Sequence, residues 1–342
     1  MEQRMAGRLG KPVSVIGLGT WQLGADWGAV TEEDALAVLR AAAEAGVTMF
    51  DTADVYGDGR SEQVIARFLR EEAARGADGT GVLVATKMGR RVDQVPENYV
   101  LENFRAWNDR SRANLGVDRL DLVQLHCPPT PVYSSDAVYD ALDAMVAEER
   151  TAAYGVSVET CEQALAAIAR PGVASVQVIL NAFRRKPLDE VLAAARAAGV
   201  AIIARVPLAS GLLSGRYTLD TVFAADDHRT FNRRGESFDV GETFSGVDYA
   251  AGVQAAAEFT VIAEAEYPAA AVQRDSAITA QAALRWVIQQ PGVTTVIPGA
   301  RTAAQARQNA AAADLPELRP ATLAQVENLY DKYFRAQVHD RW

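Results

Sequence analysis

The chain has 342 residues, 49% of them hydrophobic, enough for a large core and longer than one average domain. Lys and Arg total 34 against 44 Asp and Glu, a net charge of −10 with the basic residues scattered, which argues against a nucleic-acid partner. Cys127 and Cys161 form no CxxC and no cysteine–histidine spacing, so neither a disulfide framework nor a metal site is expected. No segment reaches the roughly eighteen apolar residues of a membrane span and the N-terminus lacks a signal-peptide run, so the expected setting is cytoplasmic, with no membrane partner.

The N-terminal "GRLGKPV" predicts a short hairpin. Eight runs rich in Val, Ile and Leu then follow, at 13–19, 47–53, 82–87, 120–126, 152–158, 175–183, 201–208 and 294–300. Between them lie Ala-, Glu- and Arg-rich stretches with helical spacing, such as "TEEDALAVLRAAAEAG" and "LDEVLAAARAAG", several ending in glycine as helix C-termini do. Strands apolar enough to be buried on both faces, alternating with helices, predict a (β/α)8 TIM barrel forming a single domain over 1–342. Two additions stand out. Residues 209–275 form an interval with poor periodicity, too long for an idle loop and therefore a lid candidate after strand 7. Residues 320–342 read as a C-terminal helical tail.

The first run carries a decoy. "VSVIGLGTWQLG" resembles a strand entering a dinucleotide fingerprint, but G-x-G-x-x-G requires glycine where Gln22 stands, and no acidic residue follows at the expected distance.

In a barrel, the C-terminal ends of the strands converge on one mouth. Asp51 ends the second run, with Tyr56 in its loop; Lys87 ends the third and His126 the fourth. Singly, an Asp caps a loop, a Lys is solvated and a His is a satisfied core residue. At the ends of three successive strands, they form one cluster.

These segments carry a resemblance. "FDTADVYGDGRSE", "VATKMG" and "LDLVQLHCPP" are similar to the three catalytic segments of aldo-keto reductases, in the same order and spacing over about 7–313. The resemblance implies Tyr56 as proton donor, Lys87 and Asp51 as the pair that adjusts it, and His126 as the residue that orients the substrate carbonyl. Physical chemistry supports that division. A phenol titrates near ~10, and a Lys charge about 4 Å away contributes roughly 4 kcal/mol at an effective dielectric near 20, about 3 pKa units toward phenolate.

No side chain delivers a hydride, so a cofactor is required. The resemblance implies NADPH bound along the mouth by Thr20, Trp21, Asp51, Ser157 and Gln177, then Arg205, Pro207, Leu208, Ser210 and Gly211, with Gly299, Arg301, Gln305 and Asn309 at the adenosine phosphate. Three positions depart from the family pattern. Val158 stands in place of an amide-bearing Asn. Arg205 replaces the aromatic that stacks on the nicotinamide, leaving open whether its guanidinium lies on the ring or pairs with phosphate. Gln305 stands where many relatives place the arginine that reads the 2'-phosphate, which moves that expectation to Arg301. Trp21 and Trp27 are expected to wall the substrate pocket together with Tyr56 and His126, with Tyr133, Phe183, Phe231 and Phe244 as further candidates. The expected partner is a small carbonyl compound, with aldehydes, sugar-derived ketones and quinones all open and a homo-oligomer left open. The alternative is a cofactor-binding regulatory subunit resembling the channel-associated relatives of the family.

Overall fold

A computed structural model describes residues 1–24, 30–75, 81–272 and 277–342. Two short strands, β1 (Gln3–Met5) and β2 (Pro12–Ser14), pair antiparallel with Met5 opposite Pro12, as the "GRLGKPV" turn predicts. The barrel strands are β3 (Leu18–Gly19), β4 (Met49–Asp51), β5 (Leu83–Met88), β6 (Leu122–His126), β7 (Tyr154–Ser157), β8 (Val173–Ile179), β9 (Ala201–Arg205) and β10 (Val293–Val296). All eight pair in parallel and in sequence order, and bridges Ile16–Val296 and Gly19–Gly299 join the last strand to the first. The fold is therefore the (β/α)8 barrel expected from the alternation. Its first strand is shorter than the run at 13–19 implies, because Val13 and Ser14 belong to the hairpin beneath the barrel.

Helices α1 (Glu32–Glu44), α2 (Arg60–Ala74), α3 (Leu101–Leu115), α4 (Asp136–Ala147), α5 (Cys161–Ile168) and α6 (Val191–Ala198) return the chain between the first seven barrel strands. After β9 come a single-turn α7 (His228–Phe231), then α8 (Tyr249–Glu266), a short α9 (Pro268–Ala271) and α10 (Ile278–Ile288). α11 (Ala303–Ala310) follows β10, and α12 (Pro320–Tyr333) and α13 (Arg335–Val338) form the tail. The interval at 209–275 is thus less irregular than its sequence suggests. α8 buries Gly252, Ala255, Ala256, Phe259 and Ala263 along one face and packs against α12 and α10. A stripe made of alanine in a segment that is alanine-rich all round gives little contrast between faces.

The two-residue period of the strands divides chemistry from packing. Met49, Leu83, Ala85, Leu122, Ala201 and Ile203 share one apolar cluster with Ala6 and Val13 of the hairpin. Two residues further along the same face of each strand come Asp51, Lys87, Gln124 and Arg205, and His126 lies two beyond Gln124. Each strand is therefore dry at the bottom and polar at the mouth. A one-residue slip would turn every one of these groups outward.

Candidate active site

Asp51 is the hub of the mouth. It is 3% exposed and accepts from Lys87 Nζ at 2.5 Å on Oδ1, and from Gln177 Nε2 at 2.7 Å and Gln124 Nε2 at 3.3 Å on Oδ2. Lys87 Nζ also donates to the Thr52 carbonyl at 2.9 Å and reaches the Tyr56 hydroxyl at 3.4 Å. The His126 ring stands edge-on to Tyr56, with 5.9 Å between centroids. The four residues expected from the strand ends are thus brought together. Gln124 was not anticipated; its signal was its position two residues before His126 on the same face.

Tyr56 is aimed by glycine. A Cβ on Gly57 (φ +58) would lie 1.9 Å from the Gly24 carbonyl oxygen, and a Cβ on Gly24 would lie 2.8 Å from the Gly57 nitrogen. The two loops can cross only with hydrogen at both positions. That crossing stacks Trp21 on Tyr56, with centroids 5.9 Å apart and planes 19° apart. It explains the glycine that follows the tyrosine in "YGDG".

Burial pushes the Tyr56 hydroxyl above its ordinary pKa; Lys87 pulls it down, and Asp51 and Glu242 push it up. The expectation that Lys87 alone brings the phenol toward phenolate therefore fails in the protein without cofactor. Desolvation is larger than the lysine's pull, and the partner carboxylate offsets part of the lysine's charge. Burial disfavours the Lys87 charge, yet Asp51 and Tyr56 hold its pKa above the usual value. His126 is held well below its ordinary value by burial and by Arg90, Lys87 and Arg205, so it is neutral. Its Nδ1 is buried with no partner among the described residues.

From this cluster a cavity of about 470 Å³ runs to the start of α11. Thr20, Trp21, Asp51, Ser157, Gln177, Arg205, Pro207, Leu208, Ser210, Gly211, Gly299, Arg301, Gln305 and Asn309 all line it. Thr302 caps α11 through the Gln305 amide, Gln305 Oε1 accepts from the Arg301 amide at 2.8 Å, and Asn309 Nδ2 donates to the Gly299 carbonyl at 3.1 Å. Five arginines (90, 205, 216, 229 and 301) line the cavity against two carboxylates, Asp51 and Glu242. Of these, Arg90 and Arg205 face Glu159, Arg205 also meets Glu242 and Arg229 is paired with Asp227, so the lining carries less free positive charge than the count alone suggests.

Arg205 is not free to pair with a phosphate. It is 6% exposed and clasped by Glu242 at 2.6 Å and Glu159 at 3.1 Å, and donates to the Val158 carbonyl at 3.0 Å. Trp27 lies outside the described residues. Of the other aromatic candidates, Tyr133, Phe183 and Phe244 are buried in the core and Phe231 faces outward at 40% exposure. The aromatic wall beside Trp21 consists instead of His228, 5.4 Å away, and Phe238, 6.1 Å away, both from the segment after β9. Sequence reading passed over them because no strand end marks them.

One buried acid stands apart. Asp54, two residues before Tyr56, is 0% exposed, and its carboxylate meets no side-chain donor among the described residues, although the Val55 amide lies close enough to favour its ionised form. Burial first, then the equally buried Glu62, raise its pKa from 3.8 to about 7 against the opposing pull of Arg91 and Arg110.

An acid–lysine–phenol–imidazole group at the mouth of such a barrel is the equipment of an NAD(P)H-dependent oxidoreductase. The chain belongs to the aldo/keto reductase family, whose model matches residues 15–331. It is 33% identical over 311 residues to an uncharacterized oxidoreductase of Mycobacterium tuberculosis, covering 89% of this chain and 85% of that one. The structure of a glycerol dehydrogenase from Gluconobacter oxydans superposes with a TM-score of 0.73 at 26% identity, covering 97% and 95% of the two chains. An aldo-keto reductase from Klebsiella pneumoniae in complex with NADPH superposes with a TM-score of 0.68 at 25% identity, covering 96% of each.

Proposed function

We propose that the protein reduces an aldehyde or ketone to the alcohol with NADPH, Tyr56 donating the proton. The observation that carries this reading is the joining of a proton-donor cluster to an arginine-lined cavity long enough to lead from Tyr56 to the N-terminus of α11. NADPH, when bound there, supplies the hydride. Ser157 and Gln177 are the groups that would receive the carboxamide, Ser210 and Gly211 lie along the pyrophosphate, and Arg301, Gln305 and Asn309 lie at the adenosine end. The positive φ of Val206, Ala209, Ser210 and Gly211 folds the chain tightly beside the cavity, with the Ala209 and Gly211 amides donating to the Val206 and Leu208 carbonyls.

The division of labour follows from the electrostatics. Tyr56 stays protonated at neutral pH and so starts as an acid. His126 is neutral and donates to the carbonyl oxygen, fixing it beside the Tyr56 hydroxyl. As negative charge grows on that oxygen, Tyr56 releases its proton and the resulting phenolate sits 3.4 Å from the Lys87 ammonium. Lys87 is worth more to the phenolate than to the phenol, so it acts where charge develops. Asp51 keeps the ammonium aimed and ionised. Steady-state oxidation of NADPH against a panel of aldehydes and ketones tests the reading. Carbonyl-dependent turnover that Tyr56→Phe abolishes is expected, and turnover unaffected by Tyr56→Phe would overturn it.

A further inference from the structure

The tail after α13 reaches back to the segment between β9 and α8 and sets an indole against it. Trp342 is 4% exposed, and the guanidinium of Arg184, from the loop between β8 and α6, stands 3.9 Å over the centroid of its ring. Its Nε1 donates to Asp239 Oδ1 at 3.2 Å, and the same oxygen accepts from the Gly241 amide at 2.6 Å, capping the single turn Val240–Glu242. The ring takes the space that side chains at two glycines would need: a Cβ would lie 3.0 Å from it on Gly241 and 2.3 Å from it on Gly246. The reduction uses neither Asp239 nor Arg184, yet each supports one of the carboxylates that clasp Arg205. Asp239 holds the turn that carries Glu242, and Arg184 donates to the Glu159 carbonyl at 2.5 Å. Arg205 joins Glu242 at 2.6 Å and Glu159 at 3.1 Å.

We infer that Trp342 is a positioning residue for the active site: by pinning Asp239 and Arg184 it holds Glu242 and Glu159 on Arg205, and with them the turn that keeps the Glu242 carboxylate near Tyr56. The effect on chemistry rests on the reductase reading above; the bracing does not. An aliphatic side chain would serve for packing alone. The indole adds a face for a buried guanidinium whose Nε and Nη1 meet no hydrogen-bond partner among the described residues, and an N–H for the acid that caps the turn. Burial lowers the Arg184 pKa to about 10, so this is a cation with little water to support it. Glu242 in turn acts on the phenol. Burial disfavours its charge, but Arg205, Arg90 and Arg184 hold its pKa below the usual value. That carboxylate joins burial and Asp51 in raising the Tyr56 pKa against Lys87 and Arg90, so releasing the turn withdraws an anion from the phenol.

The test uses the whole chain with Trp342→Ala, Trp342→Phe, Glu242→Gln, and each Trp342 change combined with Glu242→Gln, all checked for fold by circular dichroism. Trypsin reads the brace without cofactor at Arg233 and Arg234, both exposed and a few residues before the turn. Cutting there should be faster than in wild type by about tenfold or more in Trp342→Ala, which removes a buried ring and a hydrogen bond to a carboxylate from the closed segment. Trp342→Phe keeps a ring on Arg184 and should fall between the two; it replaces the alanine variant if that one does not fold. The pH dependence of alcohol oxidation with NADP⁺ reads the positioning. Its apparent pKa should fall in the Trp342 variants and in Glu242→Gln, and the double variants should fall no further than Glu242→Gln alone, because both changes act through one carboxylate. Unchanged cutting, an unchanged apparent pKa in the Trp342 variants, or shifts that add in the double variants would overturn the inference. A wild type that turns over no carbonyl or alcohol would instead defeat the reductase reading, and the cutting rates would still decide whether Trp342 braces the segment.

Discussion

Asp54 makes the stability of this protein depend on pH in an unusual direction. With a folded-state pKa near 7 against 3.8, the folded chain retains a proton that the unfolded chain has already released between those values. The group's contribution is therefore whole below about pH 4 and is lost as pH rises toward 7, the reverse of an acid in an ion pair. A gap of about three pH units, each worth about 1.4 kcal/mol, gives a total near 4 kcal/mol. Asp54→Asn keeps the shape and removes the titration. Its own cost, an amide without partners, is the same at every pH and cancels in a comparison across pH. Guanidinium denaturation of wild type and variant at pH 5 and pH 8 should show the variant gaining on wild type by roughly 2–3 kcal/mol between the two conditions. A gap that stays constant within about 0.5 kcal/mol would refute the reasoning and mean that Arg91 or Arg110 neutralises the ionised carboxylate in the folded chain.

Tyr56→Phe keeps the ring stacked on Trp21 and removes only the proton, so carbonyl reduction should fall far more than tenfold while NADPH affinity, read by fluorescence titration, stays nearly unchanged; activity within tenfold, about 1.4 kcal/mol of barrier, would remove Tyr56 from the acid role. Lys87→Met should be nearly as damaging, and the apparent pKa governing alcohol oxidation should rise, since burial is then opposed only by the weaker pull of Arg90. Arg301→Ala should weaken NADPH binding by about ten- to a hundredfold and leave NADH nearly untouched, because a charged hydrogen bond to the 2'-phosphate contributes roughly 1.5–3 kcal/mol; equal losses for both cofactors would show that Arg301 does not read that phosphate. Saturating NADPH should slow protease cutting between Phe223 and Tyr249, as expected of a segment that closes over the cofactor, and cutting at an unchanged rate would exclude that role.

The barrel and the group of four were legible because both rest on short periods. Apolar runs at regular intervals announce buried parallel strands, and a polar residue at the end of such a run must face the mouth. The same logic would have given Gln124, had the period been followed one step inward from His126. What could not be read came from the segment after β9, where no period links sequence to position. His228 and Glu242 reach the site through single-turn helices held by local caps, Asp227 on the Arg229 amide and Asp239 on the Gly241 amide, and Phe238 through the irregular stretch between them, where its amide donates to Asn232 Oδ1. Phe231 and Phe238 are indistinguishable in sequence, yet only Phe238 meets Trp21. The fate of Arg205 was hidden for a related reason: its two carboxylate partners lie 46 and 37 residues away, beyond any local pattern.

The clasp on Arg205 also bears on how this chain could be recombined with its relatives. An insertion taken from a relative without a carboxylate at the position of Glu242 would leave the guanidinium with Glu159 alone. The reciprocal graft would bury Glu242 against a ring. Breaking a buried pair from one side typically costs about 3–5 kcal/mol, a large part of the margin of a whole domain. Substitution at 205 and at 242 must therefore occur together or through a neutral intermediate such as Gln at 242. Chimeras that exchange the segment after β9 should be built with position 205 as part of the exchanged unit.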